Sequence, residues 1–408
     1  MMYFSLDKYT LKKRSQEHPI PYIVIMYVEQ LLSKLVSFPV LGGESNLSII
    51  HWIQSYIESF GVTTTLVPNA AGNKASLHCR IGPPVNGGVI LSGHTDVVPV
   101  AGQDWHTNPF ELTDIGDGKL YGRGSCDMKG FLACCLAVLP ELTKASLKTP
   151  VYFAFSYDEE IGCLAAPALI AHLQNHYIET PKYAIIGEPS NMQPIIGHKG
   201  IGFFETTVNG SAGHSSGIRK EVSAVHEAAR LILWLEDKMN RLEKNEPLDT
   251  RFKPAHTSIH IGCMQGGIAP NVIADKASFS WDIRVIPQNS AQEIVSEFDA
   301  HCETTRKKLK DKFPAFQIQT SALHPPVPPL DTKNDAEIVQ LLADINPNHS
   351  VDTVAYAAEA GQFSEAGIES IICGPGSIEQ AHRANEYVQK EELNTCVDML
   401  KKLIEKLT

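Results

Sequence analysis

Residues 87–96 read GGVILSGHTD. A short aliphatic run closed by glycine reads as a strand buried on both faces. It ends on two residues, His94 and Asp96, that have no place in such a core. The same design recurs along the chain. YAIIGEP at 183–189 ends on Glu188, VYFAFSYD at 151–158 runs into DEEIG at 158–162, and a late strand, ICGP, precedes GSIEQAH. Helical periodicity is expected over 26–38, 47–60, 130–144 and 164–175. Apolar strands alternating with helices predict an α/β fold whose mostly parallel sheet is covered on both faces.

The texture changes after residue 196. FFETTVNGSA at 203–212, HTSIHIGCM at 256–264 and ASFSWDIRVI at 277–286 alternate with period two, and FQIQTS at 316–321 is another strand. Long helices are expected over 221–240 and 290–310. The resulting β-α-β-β-α-β order is that of the ferredoxin-like split motif. The chain therefore reads as a discontinuous catalytic domain, 1–196 and 321–408, interrupted by a smaller α/β domain at 197–320. HPPVPPLD at 324–331 is the Pro-rich return.

The 408 residues, 43% hydrophobic and 20% charged, provide ample core for such a chain. A net charge of −11 and a pI near 5.8 argue against nucleic acid or an anionic membrane as partner. Nine scattered cysteines without a CxxC suggest a reducing cytoplasm rather than a disulfide framework, and the adjacent Cys134 and Cys135, in a helical apolar pattern, read as buried small hydrophobes. LKKRS at 11–15 followed by IPYIVIMYV at 20–28 crudely resembles a signal peptide. However, the next residues, EQLLSKL, continue an amphipathic helix with no small-residue cleavage site, and the run is too short to span a bilayer. Residues 1–22 are expected to be a surface extension or to precede a start at Met26.

The chemistry gathers at the strand ends. His94, Asp96, Asp127 (in GRGSCDMKG, 122–130), Glu159, Glu160, Glu188 and His382 (in GPGSIEQAH, 374–382) all fall where apparent strands finish or in the loops that follow. In an open α/β sheet that edge is where ligands bind. Five acids crowded together repel unless cations neutralise them. Mixed histidine and carboxylate ligands suit Zn²⁺, or Co²⁺ and Mn²⁺. Carboxylates in excess of one ion's needs suggest two ions sharing a bridge, roughly 3.5–4 Å apart.

The order HTD, GRGSCDMKG, DEE, GEP, GHSS and a late histidine resembles the M20 family of metallopeptidases and deacylases. GKLYGRGSCDMKGF at 118–131, AIIGEPS at 184–190, LHPPVP at 323–328 and CGPGSIEQAH at 373–382 are most similar to its acetylornithine deacetylase branch. The resemblance implies two zinc ions per subunit, with cobalt able to substitute. His94, Asp127 and Glu188 would hold one ion, and Asp127, Glu160 and His382 the other. Asp96 would hydrogen-bond the free ring nitrogen of His94, and the peptide after Asp127 would be cis. Glu159, diverging from Glu160 at a strand end, would be the general base. His214 in GSAGHSS (210–216) would reach the neighbouring subunit's site in a homodimer and stabilise the oxyanion. Arg284, Asn271 and the GPGS backbone at Gly374 would bind substrate, and Glu359 is a weaker candidate for a substrate amino group. The implied reaction is hydrolysis of N2-acetyl-L-ornithine to L-ornithine and acetate. A succinyl-diaminopimelate desuccinylase, or a deacylase of another N-acyl amino acid, is the alternative within the family.

Three competing signals carry less weight. GHSSG at 213–217 fits the G-x-S-x-G serine nucleophile elbow, with Asp352 and His382 downstream, but would leave the acids without purpose. A non-catalytic binding relative would be expected to have lost Glu159 or a ligand, and all are present. HLQNH at 172–176 has histidines four apart but lacks the glutamate of HExxH, and reads as a solvated helical face.

Overall fold

The computed structural model describes residues 26–245 and 247–408; the expectation for residues 1–22 lies outside them. The core of the molecule is a mixed sheet in the order Thr64–Pro68, Ala75–Ile81, Val151–Ser156, Val89–His94, Tyr183–Pro189, Glu369–Gly374, Ile195–His198, Leu330–Asp331. Its four central strands, from Val151–Ser156 to Glu369–Gly374, are parallel and the flanking pairs along this order antiparallel, while a ninth strand, Asp352–Val354, pairs parallel with Ile195–His198. Helices cover both faces. Leu91, Phe153 and Phe155 face one core together with Phe131 and Leu132. Ile90, Tyr152 and Ala154 face the other, against Leu169, Ile170 and Leu173. Double-sided burial explains why these strands read as continuous apolar runs.

Two local differences from the sequence expectation have simple causes. The helix expected over 130–144 is two helices, Lys129–Ala137 and Leu139–Leu142, with Pro140 in the first turn of the second. Proline has no N–H to give and is tolerated only at a helix start. The antiparallel pair Thr64–Pro68 and Ala75–Ile81, and the short strand Ile195–His198, were not anticipated. Ala75–Ile81 is buried but interrupted by Ser76, His78 and Arg80, Ile195–His198 is only four residues long, and Thr64–Pro68 is partly exposed, so none stands out as an apolar run.

A second, four-stranded antiparallel sheet has the order Ser258–Gly266, Lys276–Val285, Gly200–Asn209, Gln317–Ala322. Its long helices, Ala224–Lys244 and Ala291–Lys310, close a separate core around Phe204, Leu231, Trp281 and Phe298. The chain passes between sheets at Lys199, between Ile195–His198 and Gly200–Asn209. It returns after Ala322, and Val327 bridges back to Ile201. The outward transition follows strand directly from strand with no turn signal to mark it, whereas the return runs through the Pro-rich stretch at 324–331.

Candidate metal centre

The parallel strands deliver the acidic residues to one edge. His94 is the last residue of Val89–His94, and Glu188 lies near the end of Tyr183–Pro189. Glu159 and Glu160 follow the strand ending at Ser156. Gly187 permits this convergence, because a Cβ there would lie 1.9 Å from the Phe131 ring.

Asp127 is the hub. Its Oδ1 lies 3.1 Å from His94 Nε2 and its Oδ2 3.4 Å from His382 Nε2. His382 Nε2 also meets Glu160 Oε2 at 2.9 Å. Glu159 Oε2 and Glu188 Oε1 each stand 3.9 Å from His94 Nε2. Two groups of potential ligand atoms result, His94–Asp127–Glu188 and Asp127–Glu160–His382, the atoms of each within 4.8 Å of one another. The Asp127–Met128 peptide bond is cis.

The electrostatics of this cluster call for cations. Burial first, then the charge on Asp127, holds the Glu188 carboxyl well above the usual range, and Glu188 Oε1 has no hydrogen-bond partner among the described residues. Burial likewise pushes Glu159 up to about 8 and Glu160 up to about 7. Burial alone would raise Asp127 too, but hydrogen bonds from His382 and His94 outweigh it and hold the carboxyl below its ordinary value. Hydrogen bonds to Asp127 and Glu160 lift His382 to about 10. Protons hold these acids together only partly. An unpartnered buried carboxylate oxygen beside two imidazoles, with a carboxylate shared between them, is a donor set that fits two divalent ions.

Asp96 enters this arrangement differently from expectation. The His94 Nδ1–H meets the main-chain carbonyl of Asp96 at 2.9 Å, while the Asp96 Oδ1 is 3.6 Å away. The carboxylate instead accepts the backbone N–H groups of Glu159 and Glu160, at 3.3 and 3.2 Å. Asp96 thus orients His94 through its backbone and the Glu159–Glu160 turn through its side chain.

The remaining candidates lie farther out. His214 is exposed, and its Nδ1 accepts from the Ser216 N–H at 3.2 Å. It sits in a two-residue pairing, Gly213–His214 with Val272–Ile273, outside the main sheet, which is not the setting of a nucleophile elbow. Asn271 is exposed, and its carbonyl accepts the Ser215 N–H. Arg284 Nε stands 3.7 Å from Asp282 Oδ1. The Gly374 N–H is already given to Ser190 Oγ at 3.1 Å, and a Cβ at Gly374 would fall 2.1 Å from the Gly187 carbonyl oxygen. In this structure Gly374 therefore permits two strands to approach beside Glu188, and its N–H is not free for substrate. Glu359 is buried with Oε1 unpartnered.

One important residue escaped the sequence reading. Glu386 is buried, and its carboxylate accepts from Arg123 Nη1 (2.6 Å) and from the N–H groups of Gly124, Cys126 and Asp127 (3.0, 2.9 and 3.0 Å). It folds the loop that presents Asp127. The only available signal was the pairing of GRG at 122–124 with an acid four residues after His382.

The sequence profile of the peptidase family M20/M25/M40 matches residues 90–406. The acetylornithine deacetylase of Myxococcus xanthus is 33% identical over 378 residues, covering 91% of this chain and 95% of that protein. The acetylornithine deacetylase of Pasteurella multocida (strain Pm70) is 31% identical over 387 residues, covering 92% and 96%. Among solved structures, an M20 family metallo-carboxypeptidase from Sulfolobus solfataricus superposes with a TM-score of 0.74 at 18% identity, over 93% of this chain and 98% of that one. A dinuclear metal-binding peptidase of the M20 family from Bacillus subtilis does so with a TM-score of 0.63 at 15% identity, over 93% and 97%. These structures share the fold.

Proposed function

The chain belongs to the peptidase family M20/M25/M40 and is a metal-dependent amidohydrolase, and from that premise we propose that it hydrolyses N2-acetyl-L-ornithine to L-ornithine and acetate in the cytoplasm. The observation that carries the chemistry is the Asp127 carboxylate facing both histidines, each with its own acid partner. His94 and Glu188 would hold one zinc ion, Glu160 and His382 the other, with Asp127 shared and Co²⁺ an acceptable substitute. When bound, the ions supply an acidified water and a Lewis acid for the amide carbonyl.

Glu159 is the proton carrier in this reading. Its Oε1 accepts the Cys163 thiol at 3.2 Å, which leaves Oε2, the oxygen facing His94, to take a proton from water and return it to the leaving amine. The same burial that raises its pKa makes the carboxylate a stronger base. Arg284 and Asn271 are proposed to take the substrate α-carboxylate, Arg284 by its bidentate fork. His214 is proposed to be donated across a homodimer, where it would add a hydrogen bond to the developing oxyanion. Its exposure, and its placement in the short pairing with Val272–Ile273 rather than beside Asp127, support that role. The edge strand Ser258–Gly266, exposed over its last five residues, is the proposed dimer contact.

A hydrolysis panel tests the substrate. N-acetylornithine, N-acetylcitrulline, N-acetylmethionine and N-succinyl-diaminopimelate are compared with zinc or cobalt added. N-acetylornithine should show the highest kcat/KM. Preference for the succinylated compound would move the assignment to the desuccinylase alternative and leave the chemistry intact.

A further inference from the structure

Three imidazoles outside the carboxylate centre converge on one point. His78 lies mid-strand in Ala75–Ile81 and is fully buried. His172 and His176 stand one turn apart on the helix Ala166–His176, which packs over that strand. We propose that His78, His172 and His176 form a third divalent-metal site, of the imidazole-rich kind that takes zinc, and that the ion fastens this helix to the sheet.

One nitrogen from each ring lies within 4.8 Å of the others. His78 Nε2 is 2.9 Å from His172 Nδ1, and the His176 ring centroid lies 5.1 Å from that of His78 and 5.6 Å from that of His172. Zinc–nitrogen bonds of about 2.0–2.1 Å place tetrahedral donors roughly 3.3 Å apart. Small side-chain movements therefore suffice, and His176, at the exposed helix end, is free to make the largest.

The surroundings favour a neutral, ligating state. His78 Nδ1 is 3.1 Å from the Tyr177 hydroxyl. Donating its Nδ1–H there fixes the tautomer and turns the Nε2 lone pair toward the other two rings, as an outer partner does for a ligating histidine. Without an ion, His172 must then give its Nδ1–H to that lone pair. With one, the His172 proton moves to Nε2 and both lone pairs face the metal, with no net proton released. Burial, then the proximity of His172 and His176, holds His78 down to about 3, so it remains unprotonated near neutral pH. No carboxylate among the described residues pairs with the three rings; nearby Glu179 is engaged by Arg80 at 2.5 Å. Three histidines facing one another with no acid to share a proton have little purpose as a salt bridge. Three imidazole nitrogens within reach of one another suit Zn²⁺. The site shares no residue with the Asp127 centre, and the inference does not depend on the substrate proposed above.

The experiment counts zinc. The full-length protein is equilibrated with zinc sulfate, desalted and assayed by atomic emission. His172→Ala and His176→Ala should each hold one zinc fewer per chain than the unaltered protein. His51→Ala, at an exposed helical position elsewhere, should match the unaltered protein. Equal zinc in all four, or the same loss from His51→Ala as from His176→Ala, overturns the proposal. His176 is exposed at a helix end, so its replacement leaves the fold intact, as circular dichroism will verify. An Asp127→Asn chain separates the two centres. It should lose zinc from the carboxylate cluster yet keep an ion that adding His176→Ala removes. If Asp127→Asn loses none, the carboxylate reading fails while the histidine site stands.

Discussion

At the scale of single residues, function divides between side chains that face the centre and those that hold them there. Glu159 faces it without belonging to either set of three potential ligands, so its role separates from metal retention. Glu159→Gln should lower kcat by about 10²–10⁴-fold, the usual worth of a positioned base, while zinc content measured by atomic emission stays unchanged. Loss of zinc in parallel with activity would make Glu159 a ligand instead. Glu386 acts from behind: it neutralises buried Arg123 and ties down the loop ending at Asp127. Glu386→Ala leaves a buried guanidinium unpaired, and about 3–5 kcal/mol of stability should be lost in urea unfolding. These residues also mark the limit of reading by residue type. Asp96 looked like a carboxylate partner for His94, and it is the backbone oxygen that binds the ring. Residue type does not distinguish a main-chain contribution from a side-chain one. Glu386 lacked any strand-end position to distinguish it from a surface acid.

At the scale of elements, the strands most exposed to the hydrophobic effect were the most legible. Val89–His94, Val151–Ser156 and Tyr183–Pro189 are buried along most of their length, so their sequences are unbroken apolar runs whose ends are marked by the first polar residue. That one regularity located the strands and six of the seven gathered side chains together; Asp127 was found from its glycine-bracketed loop. Thr64–Pro68, partly exposed throughout, carries no comparable contrast. Ile195–His198 is only four residues long, and its importance lies in one side chain. The buried His198 gives Nδ1–H to the Lys199 carbonyl (2.9 Å) and takes the Gly361 N–H on Nε2 (3.0 Å), joining the strand to the start of the helix Ala360–Glu365. Burial holds its pKa down to about 4 from 6.5. The unfolded chain therefore binds this proton more readily than the folded one. The contribution is present in full above pH 6.5 and is lost as pH falls toward about 4. It should amount to on the order of 3 kcal/mol. His198→Gln, whose amide can both donate and accept, should flatten the fall of unfolding free energy between pH 7 and 4. An unaltered slope would assign the acid sensitivity elsewhere.

At the scale of the whole molecule, the two sheets divide the labour. The mixed sheet builds the metal centre, the four-stranded antiparallel sheet, with its own core around Trp281 and Phe298, carries Arg284, and the short pairing of Gly213–His214 with Val272–Ile273 holds His214 beside Asn271. In one chain the His214 ring is exposed and bonded to Ser216, away from the acids. If a symmetric partner brings it to the opposite centre, each working site contains Glu159 of one chain and His214 of the other. Glu159→Gln and His214→Ala homodimers are then each impaired at both sites. Mixing them under conditions that exchange subunits creates heterodimers in which one site carries both lesions and the other carries neither. Random exchange makes about half the dimers mixed, so about a quarter of unaltered activity should return. Recovery should track the fraction of heterodimer seen by native mass spectrometry. If His214 acted within its own chain, the mixed dimer would hold one site of each defective kind, and mixing would restore nothing. The two arrangements thus predict different rates from the same chains, and the assay needs no assumption about which N-acyl amino acid is the preferred substrate.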